Sequence, residues 1–431
     1  MNVKMEHRAR RAHGAKKKES KESKDDKIII LVNGEDDDDP MNSVRTLKLE
    51  NSTQTRIGAR GKANCIPLED INKCLTSGMK QICPRHKLKR KKKYGDSGKC
   101  VNPKYKQWLL CKHSYKFTLN TKIMDWKKYH RLSVINSFVE DLERDFPAIC
   151  TVSVIGKSIE GRSIKMLKIS NSNATNTPVW LDGAIHPREW ITTAVVTYIA
   201  DYIVRNFHDL SEHLTNKDWY IVPVLNPDGY EYTHTHDRMW RKNRAIYDGH
   251  CVGVDLNRNF SYGWGHNGEE GSSDTPENVF YRGPAPFSEP ETAAVRDFIL
   301  GSPTPFKVFL SFHSYFELII FPWGYKKDPC PDYLNLMEAG IRMARAIHKS
   351  SGMTYKVGST KDLTYYACGT ATDWSYSVAK IPYSFMIELP SKKNKFKLPR
   401  DKILSTCEES WNGVQSLMEY VDGPSYLRKK K

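Results

Sequence analysis

Two side chains that can bind a metal lie three residues apart in the stretch 181–190. His186 and Glu189 follow an apolar, strand-like run at 178–181 and precede a long apolar-periodic segment. This pattern puts both residues where a strand gives way to a helix. A histidine nitrogen and a carboxylate oxygen turned toward one point suit zinc, which keeps a further position open for water in catalytic sites. The pair is incomplete as a zinc site, and an ordinary loop pair is the alternative interpretation.

A third candidate ligand follows much later in the chain. His313 comes directly after a second strand-like run at 306–312. In open α/β sheets, functional sites form where the strands end, so this histidine is expected at the same sheet edge as His186 and Glu189. A histidine at a strand end is more often structural. Together, however, the three residues form a His-Glu-His set with an open fourth position, as in catalytic zinc sites.

The elements that must position these residues alternate along the chain. Periodicity predicts strands at 151–155, 163–169, 178–181, 219–225, 306–312 and 383–389. It predicts helices at 126–145, 191–207, 289–300, 333–348 and 408–421, and a turn at 226–229. Alternating strands and long helices predict an α/β fold, a single large domain with a mixed, largely parallel sheet flanked by helices.

Charge separates the chain into parts. Residues 1–123 contain 30 Lys and Arg against 14 Asp and Glu, whereas residues 124–431 contain 37 against 36. We therefore expect the α/β domain to follow a basic, largely disordered, cysteine-containing N-terminal region. The predicted parts are a disordered charged tail at 1–64, a cysteine-containing basic segment at 65–123, the α/β domain at 124–425 and a basic C-terminal tail at 426–431.

Cysteine usage leaves the compartment open. Five of the ten cysteines lie between residues 65 and 111. They are compatible with disulfides, with a zinc module or with neither. Their spacings match no common zinc-finger pattern, which favours disulfides, although the odd count leaves one thiol over. No run approaches the 18 or more apolar residues of a membrane-spanning helix, and the first 27 residues are too charged for a secretory signal.

Six ordered motifs carry a resemblance to a known family. They are His186-x-x-Glu189, Asn226-Pro227-Asp228-Gly229-Tyr230, Asp237-Arg238-Met239-Trp240-Arg241-Lys242, Asp255-Leu256-Asn257-Arg258-Asn259, Ser311-Phe312-His313-Ser314-Tyr315 and Tyr383-Ser384-Phe385-Met386-Ile387-Glu388-Leu389. In order and spacing they resemble the zinc metallocarboxypeptidases of the pancreatic A/B type, over residues 124 to 425. The resemblance implies a zinc-dependent exopeptidase that hydrolyses the C-terminal peptide bond of peptides and proteins.

The resemblance implies a role for each matching residue. One Zn²⁺ per chain would be held by His186, Glu189 and His313. Glu388 would take a proton from the attacking water, and Arg241 would stabilise the oxyanion that forms on the scissile carbonyl. These roles are chemically sensible, since a carboxylate can shuttle a proton and a fixed cation meets charge that appears only in the transition state.

An exopeptidase must also recognise a free carboxylate. The residues that match the family's cradle for it are Asn257, Arg258 and Tyr365. The planar fork of arginine suits bidentate carboxylate binding, while asparagine and tyrosine add donors. Tyr365 matches less tightly, because Tyr366 and Tyr376 lie close by in sequence. The residues that match the subsites for the preceding part of the substrate are Arg188, Arg238 and Tyr315, with a packing role as the alternative.

The pocket for the departing side chain is also implied by the resemblance. Its floor residue precedes Asp373-Trp374 and is therefore Thr372. Relatives that remove Lys or Arg carry an acidic residue there, because a buried cation needs a counter-charge. The other lining positions are small or apolar: Ala371, Ile320, Gly324 and Met386. We therefore expect a preference for aliphatic and aromatic C-terminal residues; the alternative is a carboxylate reaching in from elsewhere, such as Asp362.

The chain departs from the family pattern in two places. The usual signal peptide and inhibitory pro-segment have no counterpart in residues 1–123. Cys251 occupies a position that begins a disulfide in relatives, but the expected partner position holds Asn278. The resemblance thus favours an extracellular, secreted protein, whereas these departures favour a cytoplasmic or nuclear one.

Two rival hypotheses remain beside an active enzyme. One is an inactive relative that binds peptide C-termini; retention of Glu388 and Arg241 argues against it, since a binding protein needs neither. The other makes the basic N-terminal region a polyanion binder. For the α/β domain we expect peptide or protein C-termini as partners, no nucleic acid, no membrane span and a monomeric state.

Overall fold

The structure is a computed structural model that describes residues 124–247, 250–251 and 253–423. The predictions for 1–64, 65–123 and 426–431 lie outside the described residues. Ten strands are described: β1 Cys150–Lys157, β2 Ser163–Ile169, β3 Thr177–Asp182, β4 Lys217–Val222, β5 Ile246–Tyr247, β6 His250–Cys251, β7 Val308–Ser314, β8 Leu318–Phe321, β9 Lys356–Ser359 and β10 Tyr383–Leu389.

The α-helices of the described part surround these strands. They are α1 Leu132–Asp145, α2 Trp190–Asn206, α3 Glu212–Thr215, α4 Pro227–Thr235, α5 Pro290–Leu300, α6 Tyr333–Ser351, α7 Thr360–Leu363, α8 Ala371–Ser377 and α9 Ile403–Asp422. Short 3-10 turns occur at Leu256–Arg258, Gly268–Glu270 and Arg400–Lys402.

Eight of the strands form one mixed sheet in the order β1-β2-β4-β3-β7-β10-β8-β9, and β5 and β6 pair separately. Strands β4, β3, β7 and β10 are mutually parallel and form its centre. The hairpin β1-β2 joins β4 in antiparallel fashion, and β8 runs antiparallel to β10. The carboxyl ends of β3, β7 and β10 therefore meet at one edge of the sheet.

Both faces of the sheet are covered, as the long apolar runs of its central strands require. Successive residues of a strand point to opposite faces. Accordingly, Val179 and Leu181 pack with α2, α6 and α9, whereas Trp180 between them packs with α5 and α8. The buried side chains of β3 thus join two separate cores, which hold the strand ends in fixed register.

The predicted fold class is confirmed: one α/β domain carries a mixed sheet flanked by helices. Strands β2 and β10 have the predicted bounds, but the first helix begins at Leu132 rather than Trp126. The predicted turn at 226–229 is the start of α4, and β8 and β9 were not predicted. The side chain of Cys251 lies outside the described residues, while Cys150, Cys330, Cys368 and Cys407 are buried thiols.

Candidate active site

The loop between β3 and α2 carries two of the candidate ligands. Its path is set by close backbone packing, since a Cβ on Gly183 would lie 3.1 Å from the carbonyl of Thr192. The Thr192 hydroxyl accepts from the Ala184 amide at 2.9 Å and donates to the Glu189 carbonyl at 2.7 Å. One side chain at the start of α2 therefore fixes the loop on both sides of His186.

The structure brings three predicted ligand side chains together. One ligand atom from each of His186, Glu189 and His313 lies within 4.8 Å of the others, and all three residues are buried. His186 Nδ1 lies 3.0 Å from Glu189 Oε1, and His313 Nδ1 lies 3.2 Å from Glu189 Oε2. The two Nδ1 atoms are 3.1 Å apart. The donor atoms converge on one point.

Other side chains hold the opposite nitrogen of each ring. His186 Nε2 lies 3.1 Å from the carboxylate of Asp255, which only accepts, so Nε2 carries the proton. His313 Nε2 lies 3.2 Å from the Ser311 hydroxyl, which itself donates to Asp182 at 2.7 Å. Each arrangement leaves the lone pair of Nδ1 facing the shared point.

The donor set fits a divalent metal. The pKa of His186 is lowered, mainly by burial and to a smaller extent by the nearby Arg241 cation. A lower pKa favours the neutral ring, which is the form that binds metals. Burial alone would raise the pKa of Glu189, but His186 and His313 hold it below its ordinary value, so this ligand is ionised. Glu189 has the opposite effect on His313, whose pKa it raises although burial opposes protonation, so a proton and a metal would compete for that ring. Two imidazole nitrogens and a carboxylate are the ligand types of catalytic zinc sites.

Glu388 lies beside the ligand cluster on the next strand. It pairs in register with His313 across β10 and β7. Its Oε2 is buried and has no hydrogen-bond partner within the described residues. Burial, followed by the neighbouring Glu189 carboxylate, raises the pKa of Glu388 to about 7. A carboxyl group with these properties is suited to exchange protons near neutral pH.

Arg241 places a fixed cation at the same point. Its Nε donates to Asp255 at 2.9 Å, and its Nη1 lies 3.4 Å from His186 Nδ1. Burial opposes its charge, but Asp255 and other acidic groups more than compensate and raise its pKa. Asp255 therefore orients both a candidate ligand and a candidate oxyanion-stabilising cation.

The three residues predicted to form the carboxylate cradle lie together in the structure. Arg258 Nη1 donates to the Asn257 carbonyl at 2.8 Å, and Nη2 donates to the Tyr365 hydroxyl at 3.4 Å. The buried Nε of Arg258 has no acceptor among the described residues. Phe280 lies between the two cations, with its ring centre 5.2 Å from the Arg241 guanidinium and 5.3 Å from that of Arg258.

The three predicted residues of the outer subsites share one partner, Phe396. The guanidinium of Arg188 lies 4.0 Å from the centre of the Phe396 ring, and the Tyr315 ring packs edge-on at 4.7 Å. Arg238 donates from Nη2 to the Phe396 carbonyl at 2.6 Å and from Nη1 to the Arg188 carbonyl at 2.7 Å. These contacts bring together residues from four separate segments of the chain.

Thr372 lies fully buried in the first turn of α8, and its hydroxyl has no partner within the described residues. Ile320 and Met386 are opposite one another on β8 and β10. Asp373 accepts from the amides of Gly324 and Tyr325, and burial raises its pKa to about 7. Asp362 is exposed on α7, so it is not a buried counter-charge.

Asp255, Phe280 and Phe396 were not assigned roles from the sequence. Asp255 adjoins the cradle residues Asn257 and Arg258, which is the only sequence signal for it. A cavity of about 710 Å³ lies elsewhere, between α2, α9 and the segment after β10, and none of the predicted site residues lines it.

Two histidines and one carboxylate form a buried centre at the strand ends of the α/β sheet, and the Glu388 carboxyl group lies beside them. This arrangement is typical of metal-dependent hydrolases. The family model for peptidase M14, zinc carboxypeptidase, matches residues 135–413. The chain belongs to this family and is a zinc metallocarboxypeptidase, a hydrolase with C-terminal exopeptidase function.

Individual relatives agree with this assignment. Carboxypeptidase B of Astacus astacus is 39% identical over 301 residues, which are 69% of this chain and 98% of that protein. Carboxypeptidase A5 of Macaca fascicularis is 36% identical over 307 residues, covering 70% of this chain and 69% of that protein.

A solved structure agrees as well. Bovine thrombin-activatable fibrinolysis inhibitor, in complex with tick carboxypeptidase inhibitor, superposes with a TM-score of 0.65 at 35% identity. The match covers 69% of this chain and 98% of that chain. Among the helices of residues 124–423 that the structure describes, none is long and apolar enough to cross a bilayer.

Proposed function

We propose that the chain is an active zinc carboxypeptidase that prefers aliphatic and aromatic C-terminal residues. The observation that carries the proposal is the convergence of His186, Glu189 and His313 beside Glu388, whose buried Oε2 has no hydrogen-bond partner within the described residues. A protein that only bound peptide ends would need no such carboxylate, which disfavours the inactive alternative.

His186, Glu189 and His313 would hold one zinc per chain. Bound zinc supplies a Lewis acid and lowers the pKa of water toward about 7. Glu388 accepts the proton of the attacking water and passes it to the departing amine, as its unpartnered Oε2 allows. Arg241, fixed by Asp255, holds positive charge where the oxyanion develops.

The remaining site residues bind and orient the substrate. Asn257, Arg258 and Tyr365 take the terminal carboxylate. The Nε of Arg258, which has no acceptor among the described residues, is a suitable donor for it. Arg188, Arg238 and Tyr315 contact the residues that precede the scissile bond. We further propose that the domain spans 124–425, acts as a monomer and is secreted.

Thr372 carries the proposed specificity. Its neutral side chain is buried at the pocket position, and Ile320 and Met386 add apolar surface. The matching relatives bear both A and B designations, so their names do not decide the preference. A pocket without a carboxylate leaves a lysine or arginine side chain unpaired, which costs binding energy.

A panel of blocked peptides that differ only in the last residue tests this proposal. The wild type should hydrolyse peptides ending in Phe or Leu faster than those ending in Lys or Arg, lose activity in a chelator and regain it with zinc. Thr372→Asp should raise the Lys-to-Phe ratio of kcat/KM by about tenfold or more, because it adds the missing counter-charge.

The matched control is Thr372→Asn, because asparagine has nearly the same shape as aspartate but carries no charge. It should leave the Lys-to-Phe ratio close to that of the wild type. Faster removal of Lys or Arg by the wild type would overturn the apolar pocket, and hydrolysis of no peptide by the zinc-loaded chain would overturn the enzymatic proposal itself.

A further inference from the structure

A dense group of cations lies at the outer rim of the proposed active site. The segment 391–402 contains six Lys and Arg and a single acidic residue, Asp401. All six cations are exposed. Lys392 is paired with Glu317 at 3.2 Å, whereas the other five have no ion pair within the described residues. Because residues 124–431 are nearly balanced in charge, this is a local concentration rather than a general basicity.

The segment is fastened so that its lysines stay at the rim. Asn394 and Lys395 donate their amides to the Ser391 carbonyl, which forms a tight turn. Phe396 turns inward against Arg188 and Tyr315, as described above. The Leu398 carbonyl accepts from the Tyr129 hydroxyl at 2.9 Å. The inward Phe396 leaves its neighbours Lys395 and Lys397 exposed on either side of it.

A second segment adds charge to this surface. Tyr129, which is bonded to Leu398, follows Lys127 and Lys128, and both of these lysines are exposed. We define the basic rim as Lys127, Lys128, Lys393, Lys395, Lys397 and Arg400. It adjoins the side chains proposed to contact the residues before the scissile bond.

We propose that the basic rim selects substrates with acidic residues a few positions before the C-terminus. This inference rests on the proposed exopeptidase function. With its last carboxylate in the Arg258 cradle, an extended substrate adds about 3.4 Å per residue and must leave past Arg188, Tyr315 and Phe396. Its upstream residues then enter the field of the rim, where unpaired cations favour glutamate and aspartate.

Surface charges of this kind act modestly and are screened by salt over about 10 Å at 0.1 M ionic strength. One exposed ion pair between substrate and rim changes kcat/KM by a factor of about five at most, and several rim cations act together. For peptides that share a C-terminal Phe, we expect glutamates upstream to raise kcat/KM over glutamines by about threefold to tenfold in dilute buffer.

The test measures that glutamate-to-glutamine ratio for the full chain at about 0.05 M and about 0.5 M salt. We expect the ratio to fall toward one at the higher salt. Lys395→Gln/Lys397→Gln should reduce the low-salt ratio at least about twofold. The matched control is Lys307→Gln/Lys380→Gln, because both residues precede β7 and β10 and so lie at the opposite sheet edge; this variant should keep the wild-type ratio.

Equal kcat/KM for the two peptides, or a ratio that the rim variant leaves unchanged, would overturn the proposal. Retention on a column of sulfated polysaccharide is measured beside the kinetics. If the rim variant weakened this retention but left the glutamate-to-glutamine ratio unchanged, the rim would bind a polyanion rather than select substrate, and the proposal would be wrong. Failure of the proposed function is distinguishable, because the glutamine peptide would then not be hydrolysed at all, with or without zinc.

Discussion

Among the residues proposed to act in catalysis, Glu388 has the most unusual environment. Its Oε2 is buried without a partner in the part of the chain that the structure describes, and it lies opposite His313 rather than among the proposed ligands. Replacing Glu388 by Gln keeps the shape of the side chain and removes the proposed base. We expect kcat/KM to fall by about 10²–10⁴ while the zinc content stays near one per chain.

The matched control is Glu338→Gln, which changes a half-exposed carboxylate paired with Arg342 on α6. It should keep the wild-type rate. Metal analysis beside the kinetics separates loss of the base from loss of zinc, and a Glu388→Gln variant that worked at full rate would exclude Glu388 as the base.

The pH dependence follows from the same residue. The base must be ionised, so activity is present above the pKa of Glu388 and is lost as pH falls through it. Burial and Glu189 raise that pKa to about 7, and a bound cation lowers it. The acid limb of kcat/KM should therefore lie at or below about pH 7.

Zinc content must be measured at each pH, because the pKa of the proposed ligand His313 is raised as well. Burial opposes protonation of His313, but Glu189 raises its pKa, so protons compete with zinc at low pH. If kcat/KM decreased at low pH only in proportion to the zinc content, the role of Glu388 would be contradicted. A value of kcat/KM that did not decrease toward acid pH would contradict it as well.

At this scale, sequence spacing identifies the residues that follow strand ends. His186, Glu189 and His313 could be placed at one sheet edge because each follows a strand-like run in an α/β pattern. Asp255 and Phe396 could not, because their importance comes from contacts with residues far away in the chain. Hydrogen-bond partners of buried rings depend on the packed fold.

Among the elements, the start of α4 links several parts of the site. The side chain of Asn226 accepts from the Gly229 amide at 2.9 Å and so caps the helix. It also donates to the carbonyls of Ile185 and Lys242, at 3.3 and 3.1 Å. These carbonyls adjoin His186 and Arg241, so one buried amide ties together two segments of the site.

Replacing Asn226 by Ala should therefore cost more than a helix cap. A lost cap costs about 1 kcal/mol, and two buried carbonyls without donors add to it, so we expect a loss of about 2–4 kcal/mol in the free energy of unfolding. Asn226→Asp should also destabilise, since a carboxylate caps the helix but cannot donate to either carbonyl. Denaturant unfolding at constant zinc measures both.

The matched control is Ser359→Ala. Ser359 caps α7 through the Asp362 amide at 3.2 Å and is likewise buried. It should lose only about 1 kcal/mol. If Asn226→Ala lost no more than this, the two carbonyl contacts would contribute nothing.

The sequence predicts long elements better than their ends. β2 and β10 have the expected bounds because their apolar runs stop at polar residues or turns. The first helix was expected from Trp126, but the Trp126 indole instead donates to the Ala194 carbonyl at 2.9 Å and packs edge-on against Phe138. β8 and β9 are four residues each, too short to give a periodic signal.

Across the whole molecule, the last helix is tied to the centre of the sheet by a buried ion pair. Lys217, at the start of β4, is fully buried, and its Nζ lies 2.6 Å from Asp422 at the end of α9. Burial lowers the pKa of Lys217, and Asp422 opposes that effect. The pair joins residues 205 positions apart and so depends on the complete domain.

Asp422→Asn should destabilise the domain by about 3 kcal/mol, because it leaves a buried ammonium without its counter-charge. Lys217→Met/Asp422→Leu should recover most of that loss, since apolar residues of similar size remove the buried charge altogether. Denaturant midpoints measure the free energies of unfolding. Asp201→Asn is the control, because Asp201 pairs at 2.6 Å with Arg205, which is exposed to solvent. Burial raises the pKa of Asp201, so loss of its charge should cost less than about 1 kcal/mol. If Asp422→Asn and Asp201→Asn lowered the free energy of unfolding equally, the burial of Lys217 would not determine how much its ion pair with Asp422 stabilises the domain.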